Sequence, residues 1–228
     1  MVDQNTLKRL AAERAVAFIE SGMVVGLGHG STALLAVHEL SNRIQRGEVR
    51  DIVAIPCSPE IETEAHKLGI VISTLEDHPH IDLTVDGADE VDPQLNLIKG
   101  GGGAFLREKI VAQASKREVI MVDESKLSLK LGTKWAVPVE VLEYGLRSQR
   151  EFIESLGGKP VLRGGKATPF RTASGNLILD CNFGPIADPV ALALKLKQRA
   201  GIVEHGLFVG MATEVVVSGV DGVRILTR

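Results

Sequence analysis

Short apolar segments alternate with helix-like segments through the first half of the chain, and this alternation restricts the fold more than any other feature. Strand-like apolar runs occupy residues 23–27, 52–55, 70–72, 81–85 and 119–122, with a further candidate at 95–98. Helix-like spacing of apolar residues occupies 7–19, which we expect to end at Gly22, and then 31–46, 59–68 and 104–117. Strands that alternate with helices form right-handed crossovers in a mostly parallel sheet. We therefore predict an α/β fold, Rossmann-like, with helices flanking a mostly parallel sheet.

The pattern changes after about residue 130. Pro138 lies in the strand-like run 137–141, which suits an edge strand or a linker. Helix-like and strand-like segments follow at 148–156, 177–180 and 188–199, and three late runs at 207–208, 215–217 and 223–226 could rejoin the first sheet. We expect an α/β domain of residues 1–131 and 205–228, with a smaller inserted α+β domain of residues 132–204.

Composition excludes several classes of protein. Lys and Arg number 26 against 29 Asp and Glu, a net charge of −3, whereas nucleic-acid binders show a basic excess. With 44% hydrophobic and 24% charged residues the chain is globular, and 4% aromatic residues disfavour base stacking. No apolar run reaches the roughly 18 residues of a membrane span, and residues 1–5 lack a secretory signal pattern. We expect a soluble cytoplasmic protein with neither a nucleic-acid nor a membrane partner.

The first candidate site is the glycine-rich segment at residues 26–32, GLGHGST, between a predicted strand and a predicted helix. Ligands of parallel sheets bind outside the carboxyl ends of the strands, and glycines there let backbone N–H groups approach an anion. The segment therefore suits a phosphate cradle, although a purely structural turn is the alternative. The acidic residue of a dinucleotide site is missing, and so is the Lys-Ser/Thr of a nucleotide P-loop.

The second candidate is the segment 86–92, DGADEVD, which places four acids at the end of a strand. Three interpretations stay open. The acids could form a solvated turn, they could hold a metal although the spacing is not that of a calcium loop, or Asp86 and Asp89 could bind the hydroxyls of a polar substrate.

The third candidate is the segment 99–109, in which four consecutive glycines follow Lys99. Such a flexible run suits a backbone that folds around a ligand, and Lys99 could offer charge to a developing oxyanion. Glu108 lies about one turn into the next helix. It is either a surface partner of Arg107 or Lys109, or a general base if it faces the strand-end loops.

The remaining candidate residues carry weaker signals. His78 and His80 could bind a metal, but a solvated loop is favoured. Cys57 has no histidine beside it in the sequence, which disfavours a nucleophile, and two distant cysteines, Cys57 and Cys181, make neither a disulfide framework nor a zinc pattern. Lys126 follows the last strand of the first half and so lies at the ligand edge of the sheet.

Taken together, GLGHGST at 26–32, DGADE at 86–90 and KGGG at 99–102, with Glu108 in LREK, resemble type A ribose-5-phosphate isomerases. The order and separation of the motifs match along nearly the whole chain. Later segments agree as well, namely Ser125-Lys126, PVEV at 138–141, LGG at 156–158, Gly175-Asn176 and DGV at 221–223.

The resemblance implies interconversion of ribose 5-phosphate and ribulose 5-phosphate without metal or cofactor. It implies that Glu108 moves a proton between C2 and C1 through a 1,2-enediol. It also implies a two-domain fold and a homodimer or dimer of dimers. The substrate-binding positions it implies are His29, Gly30, Ser31, Thr32, Asp86, Gly87, Ala88, Asp89, Lys99, Gly100, Gly101, Gly102 and Lys126. Among them Asp86 and Asp89 would assist ring opening, and Lys99 would supply charge to the enediolate.

One position departs from the family, which usually has Thr where His29 stands. We expect His29 still to donate to the ligand and to bind it better when protonated.

Two other functions are weighed against the isomerase. A sugar-phosphate-sensing domain without catalysis would not need Glu108 and Lys99 together, and the 22 residues before the first strand are too few for its usual DNA-binding helices. A CoA-transferase-like enzyme would use a nucleophilic Glu and form a thioester.

Overall fold

The computed structural model describes residues 3–228. Met1 and Val2 lie outside the described residues. Both belong to the segment 1–5 considered for a secretory signal and to the first predicted domain. The helices are α1 Gln4–Val16, α2 Ser31–Gln45, α3 Pro59–Lys67, α4 Phe105–Ala114, α5 Leu146–Ser155 and α6 Pro189–Lys197, with a short 3-10 helix at Glu124–Lys126. The strands are β1 Val24–Leu27, β2 Val53–Pro56, β3 Val71–Ile72, β4 Ile81–Gly87, β5 Glu90–Val91, β6 Leu97–Ile98, β7 Ser115–Asp123, β8 Val137–Val141, β9 Lys159–Leu162, β10 Leu177–Asn182, β11 Ile202–His205, β12 Leu207–Phe208, β13 Glu214–Gly219 and β14 Gly222–Thr227.

The described chain divides into two compact units. The first unit contains residues 3–88, Arg107–Lys126 and Met211–Arg228, and the second contains Asp89–Leu106 and Leu127–Gly210. The second unit thus includes residues 89–106, 127–131 and 205–210, which the sequence-based division assigns to the larger domain. The division at residues 132 and 204 stays a prediction about folding domains.

A seven-stranded sheet forms the centre of the first unit, in the order β14-β13-β7-β4-β1-β2-β3. Every neighbouring pair is parallel except β13 and β14, which form an antiparallel hairpin. Its central strands are apolar and buried, as strands covered on both faces must be. The predicted α/β fold with a mostly parallel sheet and flanking helices is confirmed.

Helix α1 is shorter than the sequence predicts. Asp3 caps its start by accepting the Thr6 N–H at 3.0 Å, and the helix ends at Val16 rather than continuing toward Gly22. After Val16 the chain forms only isolated turns, in which the Phe18 N–H donates to the Ala15 carbonyl and the Ile19 N–H donates to the Val16 carbonyl. Because Ile19 still packs into the same core as α1, its spacing looks helical in the sequence.

Helix α4 also ends early, at Ala114, whereas the apolar spacing predicts a helix to residue 117. Ser115 begins β7 and pairs with Ile81. From this residue on, the backbone pairs with β4 instead of continuing the helix. The Ser115 hydroxyl donates to the Val111 carbonyl and lies 2.7 Å from the Thr84 hydroxyl. The tertiary pairing therefore overrides the local helix signal.

The second unit contains two antiparallel sheets, one in the order β11-β8-β10-β9 and one in the order β12-β6-β5. The prediction that residues 137–141 form an edge strand or linker is wrong, because β8 lies between β11 and β10. Pro138 is tolerated there because β11 pairs only with Val139–Val141, while the Pro138 carbonyl accepts the Gly206 N–H.

The late strands divide between the two units. β13 and β14 join the large parallel sheet as the sequence suggests. β12 does not, since it pairs with β6 in the small sheet of the second unit. Within residues 3–228, no helix combines the length and the apolar character that crossing a membrane requires.

Candidate active site

The loop between β1 and α2, residues 28–30, lies at the carboxyl edge of the parallel sheet. Gly30 occupies the N-cap position of α2 with φ +100°, in the left-handed region that favours glycine, and no side chain caps the helix. The first N–H groups of α2, from Ser31 onward, are the kind of donors that bind an anion. Ser31 is exposed and its hydroxyl accepts a hydrogen bond from Lys8 Nζ at 3.1 Å, and Thr32 is partly exposed.

Asp86, near the end of β4, is fully buried beside this loop. Its Oδ1 accepts the His29 N–H at 3.2 Å and the Gly87 N–H at 2.7 Å. Gly28 is required here because a Cβ on it would collide with the Asp86 carboxylate. The interpretation of this acid as part of a solvated turn is therefore wrong, and the first unit brings Asp86 together with the β1–α2 loop.

The His29 ring is held from the start of α3. Its Nδ1 lies 2.9 Å from the Ser58 hydroxyl and 3.8 Å from Glu60 Oε2. Ser58 is also the N-cap of α3, where its Oγ accepts the Ile61 N–H. The side chain of His29 is only 14% exposed, so the imidazole is held against the start of α3 while its backbone N–H donates to Asp86.

Glu90 and Asp92 serve the structure of the second unit. Three backbone N–H groups, those of Gly132, Lys134 and Trp135, donate to the buried Glu90 carboxylate. Asp92 accepts the N–H groups of Gln94 and Asn96 and the Asn96 side-chain amide. Glu90 and Asp92 each accept three hydrogen bonds within the second unit, so both acids hold its loops in place.

Asp89 contacts the glycine turn, which we define as residues 100–103. Its Oδ2 accepts the Gly101 N–H at 2.7 Å. Lys99, just before the turn, is 2% exposed, and its Nζ lies 5.4 Å from the centre of the Phe208 ring. The second unit thus brings Asp89 to the KGGG segment, as the sequence motifs suggest.

Glu108 lies in the first turn of α4 and is 4% exposed. The alternative that Glu108 is a surface partner of Arg107 or Lys109 is wrong, because Glu108 is itself buried. The position of α4 follows from Val111, whose side chain abuts Gly26 in the middle of β1. Glu108 is one turn before Val111 on the same face, about 4.5 Å closer to the carboxyl edge. Along the sheet, Glu108 therefore lies closer to the β1–α2 loop than Val111 does.

Lys126 ends the 3-10 helix that follows β7, the strand next to β4. It is partly exposed and lies near Asp123. The pKa of Asp123 is lowered overall. Burial alone would raise it, but hydrogen bonds from Ser125 and Gln4 and the charge of Lys126 together outweigh the burial. Lys126 therefore lies at the same sheet edge as Asp86 and the β1–α2 loop.

The weaker candidates are not assembled into sites. In the part of the chain that the structure describes, no three His, Cys, Asp or Glu side chains are grouped to hold a metal ion, and His80 is exposed. Both cysteines are buried thiols, and burial raises the pKa of Cys181. Neither cysteine suits a nucleophile.

Two residues that the sequence analysis did not select contact these loops. Ser58 holds His29, and its place directly before Pro59 is the pattern of a helix cap. Arg163 donates to the carbonyls of Gly100 and Gly101 from 62 to 63 residues away, and no local motif signals that contact.

Comparison with known proteins agrees with the motifs. The sequence model of the family described as ribose 5-phosphate isomerase A (phosphoriboisomerase A) matches residues 53–222. The chain belongs to this family. The ribose-5-phosphate isomerase A of Desulfatibacillum aliphaticivorans is 55% identical over 98% of each chain, and that of Chloroflexus aurantiacus is 54% identical over 97% of this chain and 93% of that one.

Structural similarity to ribose-5-phosphate isomerases extends over the whole chain. A D-ribose-5-phosphate isomerase solved in complex with phospho-erythronic acid superimposes with a TM-score of 0.96, at 37% identity and with 100% of both chains covered. The activity that goes with membership of the ribose 5-phosphate isomerase A family is an aldose–ketose isomerisation of ribose 5-phosphate. These similarities do not favour a sensor domain without catalysis.

Proposed function

We propose that this chain interconverts D-ribose 5-phosphate and D-ribulose 5-phosphate through a 1,2-enediol, with Glu108 as the general base. The observation that carries the proposal is the buried Glu108 in the first turn of α4, on the face that contacts β1. A carboxylate in that place takes the proton from C2 of the open-chain sugar and returns it at C1. One group serves both steps, because the two carbons are adjacent.

The acids of the DGAD segment have a different role in this proposal. Asp86 and Asp89 bind sugar hydroxyls and assist ring opening, with Gly87 and Ala88 allowing the sugar close to the backbone. Their neighbours Glu90 and Asp92 each accept three hydrogen bonds within the second unit, which supports a structural role for those two acids instead.

The KGGG segment stabilises the charge that develops on the enediolate oxygens. Lys99 supplies a positive charge, and the backbone N–H groups of Gly100 and Gly102 supply donors, while the Gly101 N–H holds Asp89 in place. Donors fixed before the reaction stabilise a developing oxyanion because they need no reorganisation.

The β1–α2 loop and the start of α2 bind the substrate anion. Gly30, Ser31 and Thr32 contribute N–H groups and hydroxyls, His29 contributes its ring, and Lys126 adds a cation at the same sheet edge. A sugar-phosphate ligand is consistent with the phosphorylated sugar acid, phospho-erythronic acid, bound to the solved relative.

Further parts of the proposal concern the protein as a whole. The reaction needs neither metal nor organic cofactor, because acid–base groups and fixed donors suffice for an enediol mechanism. The protein works in the cytoplasm as a homodimer or a dimer of dimers, and its larger domain comprises residues 1–131 and 205–228.

The test is incubation of the purified protein with ribose 5-phosphate in D2O, followed by proton NMR of the product. Appearance of ribulose 5-phosphate with deuterium at C1 supports an enediol in which the base exchanges its proton with solvent. Absence of the ketose under conditions in which the protein is folded would refute the function.

A further inference from the structure

Arg163 joins the glycine turn to the four-stranded sheet of the second unit. Its Nη1 donates to the carbonyl of Gly100 at 2.9 Å and to that of Gly101 at 3.2 Å. Its Nε and Nη2 donate to the two carboxylate oxygens of Asp180 on β10, at 3.0 and 2.6 Å. With a side chain only 16% exposed, the guanidinium is held rigidly by this two-pronged pair.

The structure shows the glycine turn in one conformation, and the freedom of glycine allows a second. The Gly103 N–H donates to the Gly100 carbonyl at 3.0 Å, which makes Gly101 and Gly102 the central residues of a β-turn. Positive φ occurs at Gly100 and Gly103 but at neither central residue, as in a type I turn. A flip of the Gly101–Gly102 peptide would produce a type II turn, which needs a positive φ at Gly102 and which glycine adopts readily.

Arg163 selects one of these two states. In a trans peptide the carbonyl and the N–H point in opposite directions. Because the Gly100 carbonyl faces Arg163, the Gly101 N–H faces away from it, where Asp89 accepts it. The Gly101 carbonyl also faces Arg163, so the Gly102 N–H faces the same side as the Gly101 N–H.

We infer that Arg163, locked by Asp180, is a positioning residue that orients the Gly102 N–H toward the substrate. The inference rests on the proposed function, in which the KGGG segment stabilises the enediolate. Asp89 already occupies the Gly101 N–H, so the Gly102 N–H is the next donor on the substrate side. Without Arg163, the central peptide flips and presents the Gly101 carbonyl, an acceptor, where a donor is needed.

The experiment compares Arg163→Met with Arg171→Met. Arg171 is a matched control in the same unit, since it also donates to a glycine carbonyl, that of Gly175, and to a carboxylate, that of Glu143. We expect kcat of the Arg163 variant to fall about 10- to 100-fold, less than the roughly 10²–10³-fold seen when an oxyanion donor is deleted outright. KM changes little, because the donor acts mainly in the transition state.

Two further variants separate positioning from folding. Arg163→Lys keeps the charge, but one ammonium cannot hold two carbonyls and both Asp180 oxygens, so kcat should still fall. Arg163→Ala should recover part of its kcat when guanidinium ion is added at millimolar concentration, whereas Arg171→Ala should not respond. If Arg163→Met does not fold, a fall in kcat of Arg163→Lys and recovery of Arg163→Ala by guanidinium test the positioning role instead.

Unchanged kcat in a folded Arg163→Lys, or a rise in KM alone, would overturn the inference. This failure differs from failure of the proposed function. If the wild type makes ribulose 5-phosphate and Arg163 variants are as active as Arg171 variants, only the positioning role is wrong. If the wild type makes no ketose, the function itself is wrong.

Discussion

His29 Nδ1 lies 2.9 Å from the hydroxyl of Ser58, the residue that caps α3. This contact explains how an imidazole fits within the β1–α2 loop. The ring is tied back to the start of α3, and its backbone N–H still donates to Asp86. With Nδ1 engaged by Ser58, Nε2 is the ring nitrogen left to donate to a ligand.

The first prediction concerns the His29 ring. A hydrogen bond from its Nε2 to the bound anionic substrate contributes roughly 1 kcal/mol, which corresponds to about a fivefold change in affinity. We therefore expect His29→Ala to raise KM for ribose 5-phosphate about fivefold and to change kcat little. KM and kcat are measured for both proteins at one pH. An unchanged KM would reject a binding role for the ring.

The second prediction concerns Gly28. A Cβ at this position would collide with the buried Asp86 carboxylate, so Gly28→Ala must displace either Asp86 or the loop. We expect a loss of about 1–3 kcal/mol in the free energy of unfolding together with a large loss of activity. Urea denaturation measures the first quantity. Gly87→Ala is the control for stability, because its added Cβ would meet neighbours only at 3.8 Å or more. Equal stability of the two variants would contradict the packing argument.

The third prediction concerns acid stability. Hydrogen bonds from Lys116 and from the Val24 N–H lower the pKa of Asp82, against a smaller opposing effect of burial. Because the pKa is lower in the folded chain, ionised Asp82 stabilises the fold above about pH 4, and this contribution is lost as the pH falls. Lys116→Met should therefore destabilise by up to about 1 kcal/mol at neutral pH, and by less near pH 3. A gap in unfolding free energy that widens in acid would contradict this.

The regular elements were largely predictable because they depend on local pattern. The run 23–27 and the helix-like segment 31–46 correspond to β1 and α2 within a residue. The predictions were wrong where a residue's structure depends on the strand that it pairs with, because local sequence pattern does not reveal that strand. Ser115 belongs to a strand because Ile81 pairs with it, and Pro138 sits in an interior strand because β11 stops one residue short.

The candidate site was likewise predictable where local motifs determine it and not where tertiary contacts do. Motif spacing selected Asp86 and Asp89, and the structure gives their acidic neighbour Glu90 a structural task that no spacing rule could assign. Burial of Asp86 and Glu108 results from the packing of whole elements, so the sequence left their solvated alternatives open. Arg163 was missed because its contact with the glycine turn crosses more than 60 residues.

The fourth prediction concerns metal removal. The proposed mechanism uses a carboxylate base, a lysine and backbone donors, and assigns no step to a metal ion. Activity should therefore be unchanged after dialysis against EDTA. The assay is repeated with Mg²⁺, Mn²⁺ or Zn²⁺ added back, and activity that is lost on chelation and restored by a divalent cation would contradict the proposal.

The central claim is that the Glu108 carboxylate moves the proton, and Glu108→Gln tests it most directly. Glutamine keeps the shape of the side chain but cannot accept the C2 proton, so kcat should fall by at least roughly 10²–10⁴-fold while ribose 5-phosphate still binds. Glu62→Gln, which changes an exposed first-turn glutamate of α3, is the control and should retain wild-type kcat. Turnover by Glu108→Gln within a few-fold of the wild type would contradict the account.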